Sequence, residues 1–402
     1  MVPAFQPIVD LRDNSVAAYE ALARWPRLPS TSTERVFSAA RRSGWAAELD
    51  RDCLDTSLTV ARAMPAAKPW TVLVNVEPEN IWATSIGNSA AESGIDPLLA
   101  HDASVRVVVE IAERSLLAQP ARLLRGVDDL RRRGLSIALD DVGVDPASLV
   151  LLPLIAPDVI KLDRSLLAEN LDGDRLETLL AVLSYAERVD VAVVAEGIET
   201  DAQLARASAW GAGYGQGFLL GEPAPLPLPR TIGMPLSVRP PAPQSVAAVI
   251  DGCAQRTAPL SLLLSLMDQL LEFARTTSER LTIVMTFARP NACTESIALR
   301  LRSLADLHPY VEAIGAPADL FGSGDRVRVA DSAEPHGEHG AIVVLGQRFY
   351  CALVARVLDA DSDVADPLGD WAYHLTVDPD RTCAIAHTLI VHSRTELSDS
   401  PA

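Results

Sequence analysis

Short hydrophobic runs alternate with longer amphipathic stretches over the first half of the chain. WTVLVNV (70–76) and VRVVVEI (105–111) lack polar alternation, which is typical of strands buried on both faces of a parallel sheet. ARLLRGVDDLRRRG (121–134) has helical spacing and ends on a glycine, which predicts a helix. The alternation continues through LSIAL (135–139), ASLVLLPLIA (147–156), DVIKL (158–162), DRLETLLAVLSYAERVD (174–190), VAVVA (191–195), TDAQLARASAWG (200–211) and YGQGFLLG (214–221). This order predicts an α/β fold with parallel strands and right-handed crossovers.

A proline-rich segment, EPAPLPLPRTIGMPLSVRPPAPQ (222–244), ends this pattern. Because proline cannot continue a helix or lie inside a sheet, we predict a domain boundary with a semi-rigid linker, and disfavour a surface loop within one large domain. We place a barrel domain at 1–228, the linker at 229–244 and a smaller mixed α/β domain at 245–396. The roughly 230 residues before the linker suit a TIM (β/α)8 barrel.

Composition narrows the class of partner. The 402 residues carry a formal net charge of −18, which disfavours binding of a nucleic acid polymer because phosphate contacts need clustered lysine and arginine. The five cysteines form no C-x-x-C pair, so we expect no zinc site, no disulfides and a cytoplasmic location. MVPAFQPIVDLRD does not resemble a signal peptide. The apolar stretch 259–274 is too short to span a bilayer and predicts a buried helix face, without membrane insertion.

Polar residues mark the ends of the predicted strands. Glu20 interrupts an apolar run, and six residues lie at or near strand carboxyl ends: Asn75, Glu110, Asp140, Asp141, Lys161 and Glu196. Barrel enzymes assemble their sites at that rim. A ligand set without sulfur or imidazole favours Mg²⁺ or Mn²⁺, and the adjacent aspartates suit a two-metal site acting on a phosphodiester. Singly, such residues are more often caps, turn residues or structural ion pairs; their convergence favours a site.

These residues lie within motifs that resemble a known family. FQPIVDL, YEALARW, VLVNV, VVEIAER, IALDDVG, DVIKLDRSLL, VVAEGIET and GYGQGFLLGEP follow one another along the chain. In order and spacing they are similar to the EAL domain, a family of cyclic di-GMP phosphodiesterases with a modified TIM-barrel fold. The resemblance covers about the first 228 residues. A different barrel phosphohydrolase is disfavoured by the density of matching motifs.

The resemblance implies a role for each matching residue. Ligands of one metal are implied at Glu20, Asn75, Glu110 and Asp140, and ligands of a second metal at Asp140, Asp141 and Glu196. Lys161 resembles the lysine that contacts the attacking water; either Lys161 or Glu196 is the general base, and Asp163 belongs to the same site. Positions that hold or frame the dinucleotide are matched by Gln6, Leu22, Arg24, Glu199 and Gln216. The implied reaction is hydrolysis of cyclic di-GMP to linear pGpG by a homodimer formed through this domain.

Two segments depart from the family pattern. The usual loop D-D-F-G-T-G-Y-S-S is replaced by D-D-V-G-V-D-P-A-S, in which Asp145 and Pro146 restrict the backbone. In the family this loop is anchored by a glutamate, here Glu113, and couples dimerisation to metal binding. We therefore keep an alternative: a catalytically weak receptor that binds cyclic di-GMP and signals through the second domain. Arg41 replaces a usual glutamate, and we expect it to alter surface or interface electrostatics.

The second domain has a weaker resemblance. GAIVVLGQRFYCALVARVLD and GDWAYHLTVDPDRTCAIAHTL are similar to the DICT domain, a sensory module found beside cyclic di-GMP enzymes. This implies regulation of the first domain by a signal that the sequence does not identify. His336 and His339, in HGEHG, have a spacing too weak for a metal site, and the glycines favour a turn before a strand.

Overall fold

The computed structural model describes residues 1–28, 30–64, 69–83, 98, 104–225, 234, 236, 239–243, 245–287, 292–332, 339–357 and 370–394. Contacts divide the chain into two compact units. One contains Met1–Leu149 and Ile155–Pro241; the other contains Val150–Leu154 and Ala242–Ala402. Most of the predicted linker 229–244, and His336, lie outside the described residues.

The first unit is a closed barrel of eight strands. They follow the chain in order around the barrel: β1 (Val2–Asp10), β2 (Val16–Arg24), β3 (Trp70–Asn75), β4 (Val105–Ala112), β5 (Ser136–Val142), β6 (Val159–Leu162), β7 (Ala192–Ala195) and β8 (Tyr214–Gly215). The predicted barrel is confirmed. β1 departs from a regular (β/α)8 pattern because it runs antiparallel to both β2 and β8. The five residues between β1 and β2 make a turn, which is too short for a parallel crossover.

Helices and short 3-10 turns join the strands along the first 241 residues. The helices among the described residues are α1 (Thr33–Arg42), α2 (Ala46–Ala63), α3 (Pro78–Ala83), α4 (Pro120–Arg132), α5 (Leu152–Ile155), α6 (Gly173–Arg188) and α7 (Asp201–Ala209). Strand residues such as Leu73, Val108 and Val159 are fully buried in one apolar cluster. This core fixes the strands, and therefore their carboxyl ends, in a common rim.

Two predicted elements are shorter than the sequence suggests. The helix predicted at 147–156 is a 3-10 turn at Ser148–Leu151 followed by α5, where Pro153 supplies no backbone donor. The strand predicted at 214–221 stops after Gly215. Two residues later the backbone of Gly217 lies so close to Ile198 that a Cβ atom there would sit 2.2 Å from the Ile198 nitrogen. Close backbone contact replaces further strand pairing.

The second unit contains one mixed sheet of eight strands, in the order β16-β12-β11-β10-β13-β14-β15-β9. Its strands are β9 (Arg256–Pro259), β10 (Thr282–Thr286), β11 (Tyr310–Ile314), β12 (Arg328–Ser332), β13 (His339–Leu345), β14 (Tyr350–Val357), β15 (Asp370–Thr376) and β16 (Ser393–Arg394). β10, β11 and β12 pair in parallel. The predicted smaller α/β domain is confirmed, whereas the short edge strands β9 and β16 are not apparent in the sequence.

The described residues of the second unit include four helices: α8 (Val246–Ile250), α9 (Leu260–Thr276), α10 (Glu295–Leu307) and α11 (Pro379–Val391). α9 contains the apolar stretch for which a buried face is predicted. Leu263, Leu271 and Ala274 are buried, while Leu262 and Leu264 are 49% and 42% exposed. Among the described helices, none has the length and hydropathy needed to cross a membrane.

Candidate active site

Side chains from six consecutive strands meet at the carboxyl rim of the barrel. Glu20 lies on β2, and Asn75, the last residue of β3, pairs in register with Glu110 of β4. β5 contributes Asp140 and Asp141, β6 contributes Lys161, and Glu196 directly follows β7. Parallel strands end at one rim, so residues far apart in the sequence become neighbours.

Lys161 lies at the centre of this group and is only 1% exposed. Its Nζ is 2.7 Å from Glu196 Oε1, 2.8 Å from both Glu110 Oε1 and Asp140 Oδ1, and 3.3 Å from Glu20 Oε2. Burial by itself lowers the pKa of Lys161, but the four carboxylates outweigh it and raise that pKa well above its usual range. Lys161 is therefore a fixed positive charge that holds four acids together.

Amide side chains orient Glu20. Asn75 Nδ2 donates to Glu20 Oε1 at 3.0 Å and to Glu110 Oε2 at 2.9 Å. Gln216 Nε2 donates to Glu20 Oε2 at 2.7 Å and to Gln6 Oε1 at 3.2 Å. Because both Asn75 contacts use the nitrogen, its carbonyl oxygen remains free of them and is suited to ligate a cation.

The acids of the site differ in the direction in which their pKa is shifted. Burial raises the pKa of Glu196 to about 8, against the charge of Lys161. Burial, together with the charge of Glu20, raises the pKa of Glu110 well above its usual range. Burial opposes ionisation of Glu20 as well, but Lys161 and the amide donors lower its pKa overall. One lysine does not neutralise all of these carboxyls, so the site favours additional positive charge.

Asp140 and Asp141 are neighbours in sequence, yet their carboxylates face the same place. Ligand atoms of Asp140, Asp141 and Glu196 all lie within 4.8 Å of one another. In a regular strand, adjacent side chains point to opposite faces. Here the β5–β6 register shifts between Leu139 and Val142, and Asp141 adopts a left-handed φ of 57°. The resulting bulge turns both carboxylates toward the site, at the cost of a conformation that aspartate tolerates better than most residues.

The residues present fit a divalent cation. Glu110 Oε1 and Asp140 Oδ1 each lie 2.8 Å from Lys161 Nζ, a donor that they share with Glu20 and Glu196. Four carboxyl groups that share one ammonium keep oxygen lone pairs that a cation can satisfy. Every candidate ligand atom is an oxygen, which fits a hard ion of the Mg²⁺, Mn²⁺ or Ca²⁺ type.

A cavity of about 560 Å³ opens beside Glu20, Asn75 and Glu110. A pocket of this size can hold a ligand as large as a dinucleotide. Among the residues predicted to bind substrate, Leu22 and Arg24 line this cavity. Arg24 Nη1 donates to Ala23 O at 3.0 Å.

The other three residues predicted to bind substrate do not line this cavity. Gln6 and Gln216 are buried and belong to the hydrogen-bonded chain that orients Glu20. Glu199 is exposed and does not line the cavity; its backbone N–H donates to Gln203 Oε1 at 2.9 Å. The structure therefore does not bring all five residues together.

Glu113 holds the loop that follows the aspartate pair. Its Oε2 accepts hydrogen bonds from the backbone N–H groups of Gly143, Val144 and Asp145 at 3.0, 3.0 and 2.8 Å. Burial raises the pKa of Glu113 to about 7, although these donors act in the opposite direction. One fully buried carboxylate thus fixes three consecutive residues next to Asp141.

The altered loop is well accommodated. Asp145 is absent from the described non-glycine residues with positive φ, so it needs no left-handed conformation. Its Oδ1 accepts from Ala147 N at 3.2 Å, and its carbonyl accepts from Ser148 Oγ at 2.8 Å. The restriction expected at this position is therefore not realised as backbone strain, and the aspartate forms a local turn instead.

Asp163 has a capping role in the structure. It is the N-cap of the 3-10 turn Arg164–Leu167, and its Oδ1 accepts from Ser165 N at 2.9 Å. Its charge also contributes to raising the pKa of Asp141, after burial and the charge of Asp140. Asp163 is therefore close enough to influence the aspartate pair electrostatically.

Sequence reasoning misses three residues of the cavity wall: Arg41, Asp50 and Glu77. Arg41 is expected to act at a surface or interface, but the structure places it in this wall, where it pairs with Glu77. Asp50 belongs to the buried face of α2, together with Cys53, Leu54, Ser57, Leu58 and Ala61. An acid at that helical spacing among apolar residues is a signal that could have identified it.

The fold and the residues at the carboxyl rim define an α/β barrel protein with an acidic site at its strand ends that fits a cation. The chain belongs to the EAL domain family, whose profile matches residues 1–223. The resemblance of the first domain to this family is thereby confirmed. The resemblance of the second domain to the DICT domain stays a prediction.

Relatives of the barrel domain include proteins with names that describe an activity. The chain is 29% identical over 227 residues to the cyclic di-GMP phosphodiesterase NbdA of Pseudomonas aeruginosa, covering 55% of this chain and 29% of that protein. It is 29% identical over 209 residues to the probable cyclic di-GMP phosphodiesterase PdeG of Escherichia coli, covering 51% of this chain and 41% of that protein. The chain thus spans less than half the length of these relatives.

A solved structure is also similar. BlrP1 of Klebsiella pneumoniae, in a complex with calcium and cyclic di-GMP, is 27% identical, with a TM-score of 0.48 and coverage of 56% of this chain and 55% of that one. A second, the MucR phosphodiesterase in complex with cyclic di-GMP, is 26% identical with a TM-score of 0.48, covering 56% of this chain and 96% of the other.

Proposed function

We propose that the barrel domain hydrolyses one 3′–5′ phosphodiester of cyclic di-GMP to linear pGpG, with Mg²⁺ or Mn²⁺. The observation that carries the proposal is the convergence of Glu20, Glu110, Asp140 and Glu196 around Lys161, beside a cavity of dinucleotide size. Membership of the EAL family and the names of two relatives support the substrate.

Two cations are proposed at the rim. Glu20, Asn75, Glu110 and Asp140 would hold one. Asp140, Asp141 and Glu196, whose ligand atoms cluster within 4.8 Å, would hold the other. When bound, such cations lower the pKa of the attacking water and offset charge on the phosphate. The cluster is acidic enough that these cations are also needed to draw an anionic substrate toward it.

The side chains then have separate tasks. Asn75 and Gln216 keep the Glu20 carboxylate oriented through both of its oxygens. Glu196 Oε1, which lies 2.7 Å from Lys161 Nζ, is the group suited to take the proton from the attacking water, and Lys161, which stays charged, orients that water. The water oxygen bonds to phosphorus as its proton passes to Glu196, the bond from phosphorus to the 3′ oxygen breaks, and that oxygen takes up a proton from solvent and leaves as a hydroxyl. Arg24, on the cavity wall, is suited to bind the phosphate.

The test is chromatographic detection of pGpG after incubation of purified protein with cyclic di-GMP and Mg²⁺ or Mn²⁺. EDTA-treated protein is the control. Formation of pGpG that stops with EDTA supports the proposal. Tight binding in Ca²⁺ without turnover in Mg²⁺ or Mn²⁺ would instead assign the chain as a receptor, and absence of both binding and turnover would reject both functions.

For the second domain we propose a sensory role that regulates the barrel, and for the barrel a homodimeric state in the cytoplasm. The sensory role is supported by the resemblance of the second domain together with its separate core. The homodimer is supported by the family resemblance of the barrel, and the cytoplasmic location by the unpaired cysteines. Comparing turnover and sedimentation of the full chain with a chain that lacks residues from 245 onward tests these roles. An unchanged rate and an unchanged mass per particle would leave no evidence for regulation through this domain.

A further inference from the structure

Arg41 and Glu77 form an ion pair on the wall of the cavity beside the site. Arg41 lies near the end of α1, and Glu77 follows β3 two residues after Asn75. Arg41 Nη1 is 2.7 Å from Glu77 Oε2, and both residues line the cavity. Their side chains are 40% and 21% exposed, so the pair faces the open space of the cavity and remains accessible to a ligand.

Asp50 fixes the backbone of Glu77. The backbone N–H of Glu77 donates to Asp50 Oδ2 at 3.1 Å, and Asn80 Nδ2 donates to the same oxygen. Asp50 is only 3% exposed. Within the described part of the chain, no further hydrogen bond engages Arg41 Nε, Arg41 Nη2 or Glu77 Oε1. The N–H donors of Arg41 and the Oε1 acceptor of Glu77 therefore lie side by side and are available to a ligand.

This arrangement has a chemical complement in guanine. The guanine base presents the O6 acceptor next to its N1–H and N2–H donors, and arginine is the side chain that most often recognises O6 and N7. A carboxylate beside that arginine can accept from N1–H or N2–H. Adenine places a donor where guanine has O6, so it would meet the arginine with the wrong group. A phosphate would be repelled by Glu77.

We propose that the Arg41–Glu77 pair binds the edge of a guanine base and makes the cavity select guanine over adenine. The inference rests on the proposed function, and it adds the residues that determine base specificity. Arg24, in the same cavity, has no carboxylate partner among the described residues. It suits a phosphate, so its loss should weaken binding of every cyclic dinucleotide to the same extent.

Binding of cyclic di-GMP and of cyclic di-AMP to the full chain in Ca²⁺, measured by calorimetry, tests this inference. In Arg41→Ala we expect the Kd for cyclic di-GMP to rise by about 10-fold to 100-fold, as for loss of one base-reading arginine, and the Kd for cyclic di-AMP to change little. Arg41→Lys keeps the charge without the planar fork and should also lose the preference. Glu77→Gln should also reduce the ratio of the Kd for cyclic di-AMP to the Kd for cyclic di-GMP.

Arg42→Ala is the matched control, because Arg42 is an exposed neighbour on α1 that does not line the cavity. It should leave both Kd values unchanged, and circular dichroism of each variant checks the fold. Equal weakening of both dinucleotides by Arg41→Ala, or no weakening of either, overturns the base-specific role. If the unaltered protein hydrolyses cyclic di-GMP, such a result removes this inference alone. If the unaltered protein neither binds nor hydrolyses it, the proposed function fails and the inference fails with it.

Discussion

Lys161 and Glu110 form a fully buried ion pair, with Nζ 2.8 Å from Oε1 and side-chain exposures of 1% and 0%. A buried charge is tolerated only with a partner, and removal of one partner leaves the other unpaired. The pair therefore links the stability of the barrel rim to its chemistry. Measuring how a cation changes the unfolding of a variant that lacks this pair therefore detects cation binding without an activity assay.

Lys161→Met should destabilise the cation-free protein by about 3 to 5 kcal/mol, because it leaves four carboxylates without their shared positive charge. Mn²⁺ should recover much of that loss. Urea unfolding in EDTA and in MnCl₂ measures both effects. Arg132→Met is the control, because its ion pair with Asp129 is half exposed and should contribute about 1 kcal/mol or less. Equal stability of the Lys161 variant and the unaltered protein in EDTA would contradict the interpretation.

Glu20→Ala should lower turnover of cyclic di-GMP by more than about 100-fold, since it removes a proposed cation ligand that is oriented at both oxygens. The measurement is the initial rate of pGpG formation at saturating Mn²⁺. Glu187→Ala, which removes an exposed carboxylate on α6, should retain the rate of the unaltered protein. A near-normal rate for the Glu20 variant would remove this residue from the ligand set.

Glu113→Ala should release the loop at Gly143–Asp145, because three backbone N–H groups lose their acceptor. Displacement of Asp141 follows, and turnover should fall by about 10-fold or more with a higher requirement for Mn²⁺. Glu113→Gln keeps a carbonyl acceptor in place and should lose less. Titrating each variant with Mn²⁺ separates cation affinity from rate. An identical Mn²⁺ dependence in the alanine variant would show that the loop does not position the site.

Asp50 should make the protein less stable as the pH rises. Burial raises its pKa to about 7, well above the unfolded value of about 4. The folded state therefore binds the proton more tightly, and this stabilisation is complete below pH 4 and is lost as the pH rises toward 7. Between pH 5 and pH 8 the free energy of unfolding of the unaltered protein should fall because of Asp50. In Asp50→Asn this fall should be smaller by more than about 1 kcal/mol, since each unit of pKa shift is worth about 1.4 kcal/mol.

Urea unfolding of both proteins at the two pH values gives that difference. Asp52→Asn, on the same helix but without the burial of Asp50, is the matched control and should not change the pH dependence. Parallel pH curves for Asp50→Asn and the unaltered protein would contradict the role given to Asp50.

Strand ends are visible in the sequence because a buried parallel strand is an uninterrupted apolar run, and the first polar residue after it marks the rim. For this reason the amino-acid pattern alone is enough to group Asn75, Lys161 and Glu196 at one rim. The bulge at Asp141 could not be foreseen, since regular strand alternation would separate it from Asp140.

Contacts between side chains of different elements are also hidden from a sequence pattern. Arg41 and Glu77 are 36 positions apart and carry no periodic signal that connects them, so their pairing becomes apparent only once α1 and β3 are packed. Glu199, although matched to a family position, is exposed and lies outside the cavity wall. A motif match therefore predicts the residue type at a position more reliably than it predicts whether the side chain lines the cavity.

The hydrogen bond from Gln216 to Glu20 joins residues 196 positions apart and lies where the last strand of the barrel pairs with the first. During synthesis, Glu20 emerges 196 residues before Gln216 and acquires this orienting amide only after almost the whole domain has left the ribosome. A nascent or truncated chain that stops short of Gln216 lacks the donor that aims the glutamate. Closure of the barrel and orientation of the Glu20 carboxylate are therefore the same event.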